Sequence, residues 1–167
     1  MSNPKSEVYA QLYEAAVKAT VDVAGKVPEA NRMRQLQENK AHPLWLIGHL
    51  SWGMDLVVNV WILNGEAKCP EEYVGLFAPD LAGGAPVNSD AATYPAWDEL
   101  LENYQKAGAA VVEAIRALDD AELDGELKGP IPDPVRGFFG NLGQSVANMG
   151  THDAHHRGQM AMIGGLD

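Results

Sequence analysis

The chain has 167 residues, 46% hydrophobic and 21% charged, enough for one sizeable core without a disulfide or a stapling metal. Twelve basic residues against 23 acidic ones give a formal net charge of −11. That field repels phosphate backbones and anionic membrane surfaces, so nucleic acid and membrane are excluded as partners; the densest basic stretch is only Arg32-Met33-Arg34.

The first predicted helix runs from about Pro4 to Ala24. Ser2 or Asn3 can cap it, Pro4 suits its first turn and Gly25 can end it. Val8, Leu12, Ala15, Ala19 and Val23 recur at helical spacing. The segment before and into it lacks the basic-then-apolar design of a signal peptide.

The second helix is expected from about Pro43 to Leu63, with Asn64-Gly65 as its stop. It is the most apolar stretch, but His49, Asp55 and Asn59 interrupt it. Three polar groups make a lipid-facing span costly, so it reads as a buried core helix.

A Gly- and Pro-rich segment over 65–92 follows, long enough for a functional lid or a plain crossover. It holds the lone cysteine, Cys69, which rules out an internal disulfide, fits a reducing, cytoplasmic setting and has no basic neighbour except Lys68 to make it a nucleophile.

The third helix is predicted from about Tyr94 to Leu118, capped by Thr93 with Pro95 in its first turn; Trp97, Leu100, Tyr104, Val111 and Ile115 mark its apolar stripe. A second linker covers 119–140. The last helix is expected from about Leu142 to Ile163, opened by an Asn141/Gln144 capping box and ended by Gly164-Gly165. No alternating strand pattern of useful length interrupts this order. The expectation is therefore all-α, one domain over 1–167: an antiparallel four-helix bundle with long crossover loops.

Five histidines are the chemistry-bearing residues: His42, His49, His152, His155 and His156. Residues four apart share a helix face, so His152 and His156 can offer two imidazoles to one ion, the spacing of the helical zinc motif His-Glu-x-x-His. Asp153 stands where that motif has its catalytic Glu, and the 11 residues after His156 hold no His, Cys or Glu. A third ligand must come from another helix. His49, set in the core helix with Trp45 and Trp52 on its face, is the best candidate, because an unpaired buried polar group costs roughly 1–3 kcal/mol. His155 could replace His156, since i,i+3 spacing also serves. His42, ahead of Pro43, is expected to be exposed. Arg157 suits a substrate carboxylate or an ion pair with a neighbouring acid, Asp153 a ligand imidazole or an inter-helix contact, and Gln159 a helix–helix hydrogen bond.

Two strings then resemble the DinB-like helical bundles: Pro43-Leu44-Trp45-Leu46-Ile47-Gly48-His49-Leu50-Ser51-Trp52 and His152-Asp153-Ala154-His155-His156-Arg157-Gly158-Gln159. The resemblance implies His49, His152 and His156 as metal ligands. It implies nickel or zinc as the ion, with manganese or iron as alternatives, and a homodimer. Some members of that family transfer low-molecular-weight thiols such as bacillithiol or mycothiol to electrophiles. The leading expectation is therefore a thiol S-transferase with a small-molecule substrate. A hydrolase using metal-bound hydroxide and a metal-binding protein without turnover are the alternatives.

Overall fold

The computed structural model describes residues 4–38 and 40–166. The expected caps Ser2 and Asn3 lie outside them. The α-helices are α1 (Pro4–Ala24), α2 (Pro43–Trp52), α3 (Tyr73–Phe77), α4 (Trp97–Arg116), α5 (Asp133–Arg136) and α6 (Leu142–Gly164), joined by a π-helical stretch and short 3-10 turns, with no strand among the described residues. No described helix is long and apolar enough to cross a membrane.

The long helices pack as a ring, α1 against α4 and α6, and α2 against the same two. Contacts set their directions. Tyr13 Oη donates to the Val146 carbonyl and Thr20 Oγ1 to Asp153, so α1 and α6 advance together. Glu7 pairs with Arg116 while Val17 fills the space over Gly108, so α1 and α4 oppose. Gly53 faces Met149 and His49 faces His152, so α2 and α6 oppose as well. The buried interior of this ring is apolar around Leu46, Ile47, Leu50, Leu100, Ile115 and Leu142. Burying such side chains supplies the main stabilisation, roughly 1.5–3 kcal/mol each before ordering costs.

The ends of α6 match expectation. Asn141 and Gln144 form the reciprocal capping box, and Gly165 closes the helix at φ 74°, a left-handed conformation that favours glycine. Helix α1 also keeps its expected bounds, Pro4–Ala24, whereas the second and third expected helices depart from theirs. The expected second helix is α-helical only to Trp52; Gly53–Ile62 winds with the wider π spacing before Leu63 ends it. Helix α4 starts at Trp97 rather than Tyr94, with Ala96 as an N-cap that makes no side-chain bond. Pro95 disfavours a helical residue before it, and Tyr94 is extended at φ −111°, ψ 153°. Tyr94 instead stacks on Phe77 at 5.6 Å and accepts the Asn88 N–H, so packing draws it out of the helix.

The 65–92 segment is tied down along its length. Buried Asp55 accepts from the Lys68 and Cys69 backbone N–H groups at 2.9 and 2.7 Å, and Asn59 Nδ2 donates to Glu66 O. Trp45 Nε1 donates to Leu76 O at 3.1 Å. His42, expected to be exposed, is fully buried: Nδ1 caps α2 by accepting the Trp45 N–H, and Nε2 donates to Asn88 O at 3.0 Å. The polar residues that interrupt the apolar second helix are thus the anchors of the connection that follows it.

Candidate metal centre

Helix α2 carries His49 on its α6-facing side, 5% exposed and between two indoles. Trp45 stacks on its ring at 4.7 Å and Trp52 at 5.5 Å, as their spacing of four before and three after requires. On α6, His152 and His156 sit one turn apart with ring centroids separated by 4.5 Å. The three rings converge: one ligand atom from each of His49, His152 and His156 lies within 4.8 Å of the others, an arrangement that could hold a metal ion.

The hydrogen bonds fix which nitrogens face inward. Phe77 O can only accept, so His49 Nδ1 at 2.7 Å must donate, and Nε2 keeps its lone pair. Gln159 Oε1 likewise accepts from His156 Nδ1 at 2.7 Å, leaving that ring's Nε2 free. Gln159, expected to bridge two helices, instead orients an imidazole three residues earlier on its own helix. His49 Nε2 and His152 Nε2 are 3.2 Å apart. Two nitrogens held at 2.0–2.1 Å by one tetrahedral zinc would lie ~3.3 Å apart, so the donor set fits such an ion.

Electrostatics favour the neutral imidazoles that ligate metals. Burial pushes His49 down to about 4, against the Phe77 hydrogen bond and with help from His156. Burial and then the neighbouring histidines push His152 down to about 3. Burial also lowers His156, opposed by Gln159. Three neutral ligands leave a divalent ion near its full charge, and three protein donors leave a tetrahedral site one open position.

The remaining candidates have other duties. His155 is exposed, its ring 5.2 Å from that of His156, and the converging group contains His156 in its place. Arg157 pairs with Asp153 at 3.2 Å, also reaching Thr20 Oγ1 and Ala16 O at 3.5 Å. Asp153 is buried and takes Tyr104 Oη at 2.7 Å and Thr20 Oγ1 at 2.9 Å, which ties α6 to α4 and α1. Burial raises its carboxyl, opposed by the Tyr104 and Thr20 bonds and by Arg157. The half-buried Cys69 thiol donates to Ser51 O and is pushed up by burial and by Asp55, the reverse of an activated nucleophile.

A cleft of about 210 Å³ opens beside the cluster, with His49 and His152 on its wall. Trp52, Trp61, Leu81, Phe138 and Met149 supply much of the rest, and its lining holds no carboxylate, amine or guanidinium. The aromatic and aliphatic residues of this wall come from α2, its π continuation, α6 and both linkers. Sequence reading missed them because only the fold brings the linkers together.

A family model of the DinB superfamily matches residues 11–160. The chain belongs to that superfamily. No curated protein matches it.

Proposed function

We propose that this chain binds a divalent metal ion through His49, His152 and His156, and transfers a small thiol to an electrophile there. The overall architecture in this reading is a four-helix bundle with the site between α2 and α6. What carries the metal assignment is the pair of outward bonds, His49 to Phe77 and His156 to Gln159, which hold the protons away from the cluster. A bound divalent ion supplies Lewis acidity, lowering the pKa of a thiol or a water at its open position.

The lining of the adjacent cleft favours the thiol. Hydrolysis of an amide draws on a general acid for its poor leaving amine, and the cleft lining holds no carboxyl group to serve as one. A thiol loses its proton to solvent. Its sulfur then forms a bond to the electrophilic carbon as a leaving group such as bromide departs with the electron pair of the bond that breaks, needing no proton of its own. Trp45 and Trp52 keep water from the flanks of His49, and Phe77 and Gln159 hold two of the three rings in register. Nickel or zinc suits an all-imidazole set. A homodimer in the cytoplasm completes the proposal.

The test begins with metal analysis of protein purified without a nickel column, followed by monobromobimane with a panel of cellular thiols. About one divalent ion per chain and metal-dependent conjugation are expected. Ester or amide hydrolysis without conjugation would make the chain a hydrolase, and metal without any turnover would make it a binding protein.

A further inference from the structure

We infer that the small molecule whose donor atom reaches the metal's open position has an uncharged, apolar body of about one ring, and that Trp52, Trp61, Leu81 and Phe138 receive it. The inference rests on the metal-centre reading above and adds the chemical class of its substrate.

Three observations carry it. The first is continuity: His49 and His152 belong both to the cluster and to the cleft wall, so a ligand held by its donor atom would lay its body in the cleft. The second is size. About 210 Å³ is below the ~300–1,000 Å³ of drug-sized pockets and above the ~150 Å³ in which an engineered apolar cavity holds benzene. The third is charge. The lining holds no cation. Arg157, one residue beyond His156, is turned toward Asp153, Thr20 and the Ala16 carbonyl. A thiol whose body carries a carboxylate beyond the reach of the metal would have to take it out of water with no partner for its charge in the lining, inside a chain of net charge −11. Aromatic faces and the aliphatic Leu81 would repay an apolar body instead.

Phe138 and Leu81 are 68% and 58% exposed, so they can be replaced without opening the core. The test uses full-length protein loaded with Co(II), titrated with benzyl mercaptan and with 4-(mercaptomethyl)benzoate, whose para carboxylate cannot reach the ion, and read by the sulfur-to-cobalt absorption. Benzyl mercaptan should bind at least about tenfold more tightly, the step that 1.4 kcal/mol represents. Phe138→Arg should weaken benzyl mercaptan and strengthen 4-(mercaptomethyl)benzoate, with the circular dichroism spectrum unchanged; Leu81→Arg provides a second, independent change at the cleft. In the metal-free protein, toluene should shift the indole N–H resonances of Trp52 and Trp61.

Those toluene shifts support the apolar cleft even where Co(II) fails to bind, a failure that would count against the metal centre alone. 4-(Mercaptomethyl)benzoate binding as tightly as benzyl mercaptan overturns the inference and leaves the metal centre standing. So does benzyl mercaptan binding that neither variant changes. A Phe138→Arg protein that dissociates from dimer to monomer while its thiol binding is unaltered also overturns it, because a second copy would then be what covers the cleft.

Discussion

His49 Nδ1 lies 2.7 Å from the carbonyl oxygen of Phe77, and Gly48, the residue before His49, leaves the space that the Phe77 ring fills. An imidazole on the core helix is thus oriented by the short helix of the following connection, and that short helix is seated by a missing side chain. A methyl group at position 48 would overlap the Phe77 ring.

Gly48→Ala should therefore lower metal affinity although residue 48 touches no metal. The alanine gains helix propensity of about 1 kcal/mol, but overpacking costs about 1–3 kcal/mol and displaces the carbonyl that holds His49. Loss of such an orienting partner typically costs about 10–100-fold in metal affinity. Isothermal titration with Zn²⁺ and a thermal melt measure the two effects. Unchanged affinity would separate Phe77 from the centre.

Gln159→Leu makes the same argument on α6. It removes the acceptor of the His156 Nδ1 proton at little cost in volume. A loss of about 10–100-fold in Zn²⁺ affinity is expected, while Gln159→Glu, which keeps the acceptor, should retain most of it. The half-buried His156 side chain remains present in both variants, so a difference between them reports ring orientation rather than ligand loss.

The three-histidine set can be tested by removal. His49→Ala, His152→Ala and His156→Ala should each abolish stoichiometric metal, whereas His155→Ala should leave it unchanged. A ligand that binds only the native state stabilises it by about 2.7 kcal/mol at a hundred times its Kd. Added Zn²⁺ should therefore raise the melting temperature of the wild type and of His155→Ala, and of none of the other three. A loss of metal in His155→Ala would bring that residue into the centre.

The convergence of the three histidines was legible because its two halves follow simple rules. The four-residue spacing of His152 and His156 puts both on one face, and His49 lies amid an apolar helix that a polar ring needs a reason to enter. Other features required the tertiary fold. Nothing in the residues before Pro43 signals that His42 would be sealed by Asn88, 46 positions later. Thr93 has the chemistry of a cap, but Pro95 and the seat of Tyr94 beside His42 and Phe77 decide where α4 begins. Asp55 and Asn59 read as interruptions of a core helix. Their purpose appears only when the backbone of Glu66, Lys68 and Cys69 is folded back on them. Gly53–Ile62 is buried on nearly every side, so its hydrophobic pattern does not distinguish π winding from α.

Burial lowers the His42 pKa below its ordinary 6.5, against the Asn88 hydrogen bond. Protonation would place a proton on Nδ1, which must stay bare to accept the Trp45 N–H. The unfolded chain then binds more protons than the native one below about pH 6.5, so stability present above that value is lost as pH falls toward the folded pKa. In metal-free protein His49 and His152 act in the same direction, down to about 4 and about 3, while the raised carboxyl of Asp153 opposes them. Urea midpoints from pH 7 to 4.5 should fall, and less steeply in His42→Asn, which keeps a capping acceptor but does not titrate. Parallel slopes would remove His42 from the acid sensitivity.

Asp55 is 2% exposed and accepts from the Lys68 and Cys69 N–H groups and from Asn59 Nδ2. Asp55→Ala would strand those buried donors, at about 1–3 kcal/mol for each left without a partner. It would also untie the start of the segment that carries Phe77. Two effects should separate in time and place. Amide exchange at Lys68 and Cys69 should accelerate first, because those protons lose their acceptor directly. Zn²⁺ affinity should fall by less than in Gly48→Ala, since Trp45 still holds Leu76 and His49 still holds Phe77. A drop in affinity as large as that of Gly48→Ala would mean that the whole connection, rather than the Phe77 contact, positions His49.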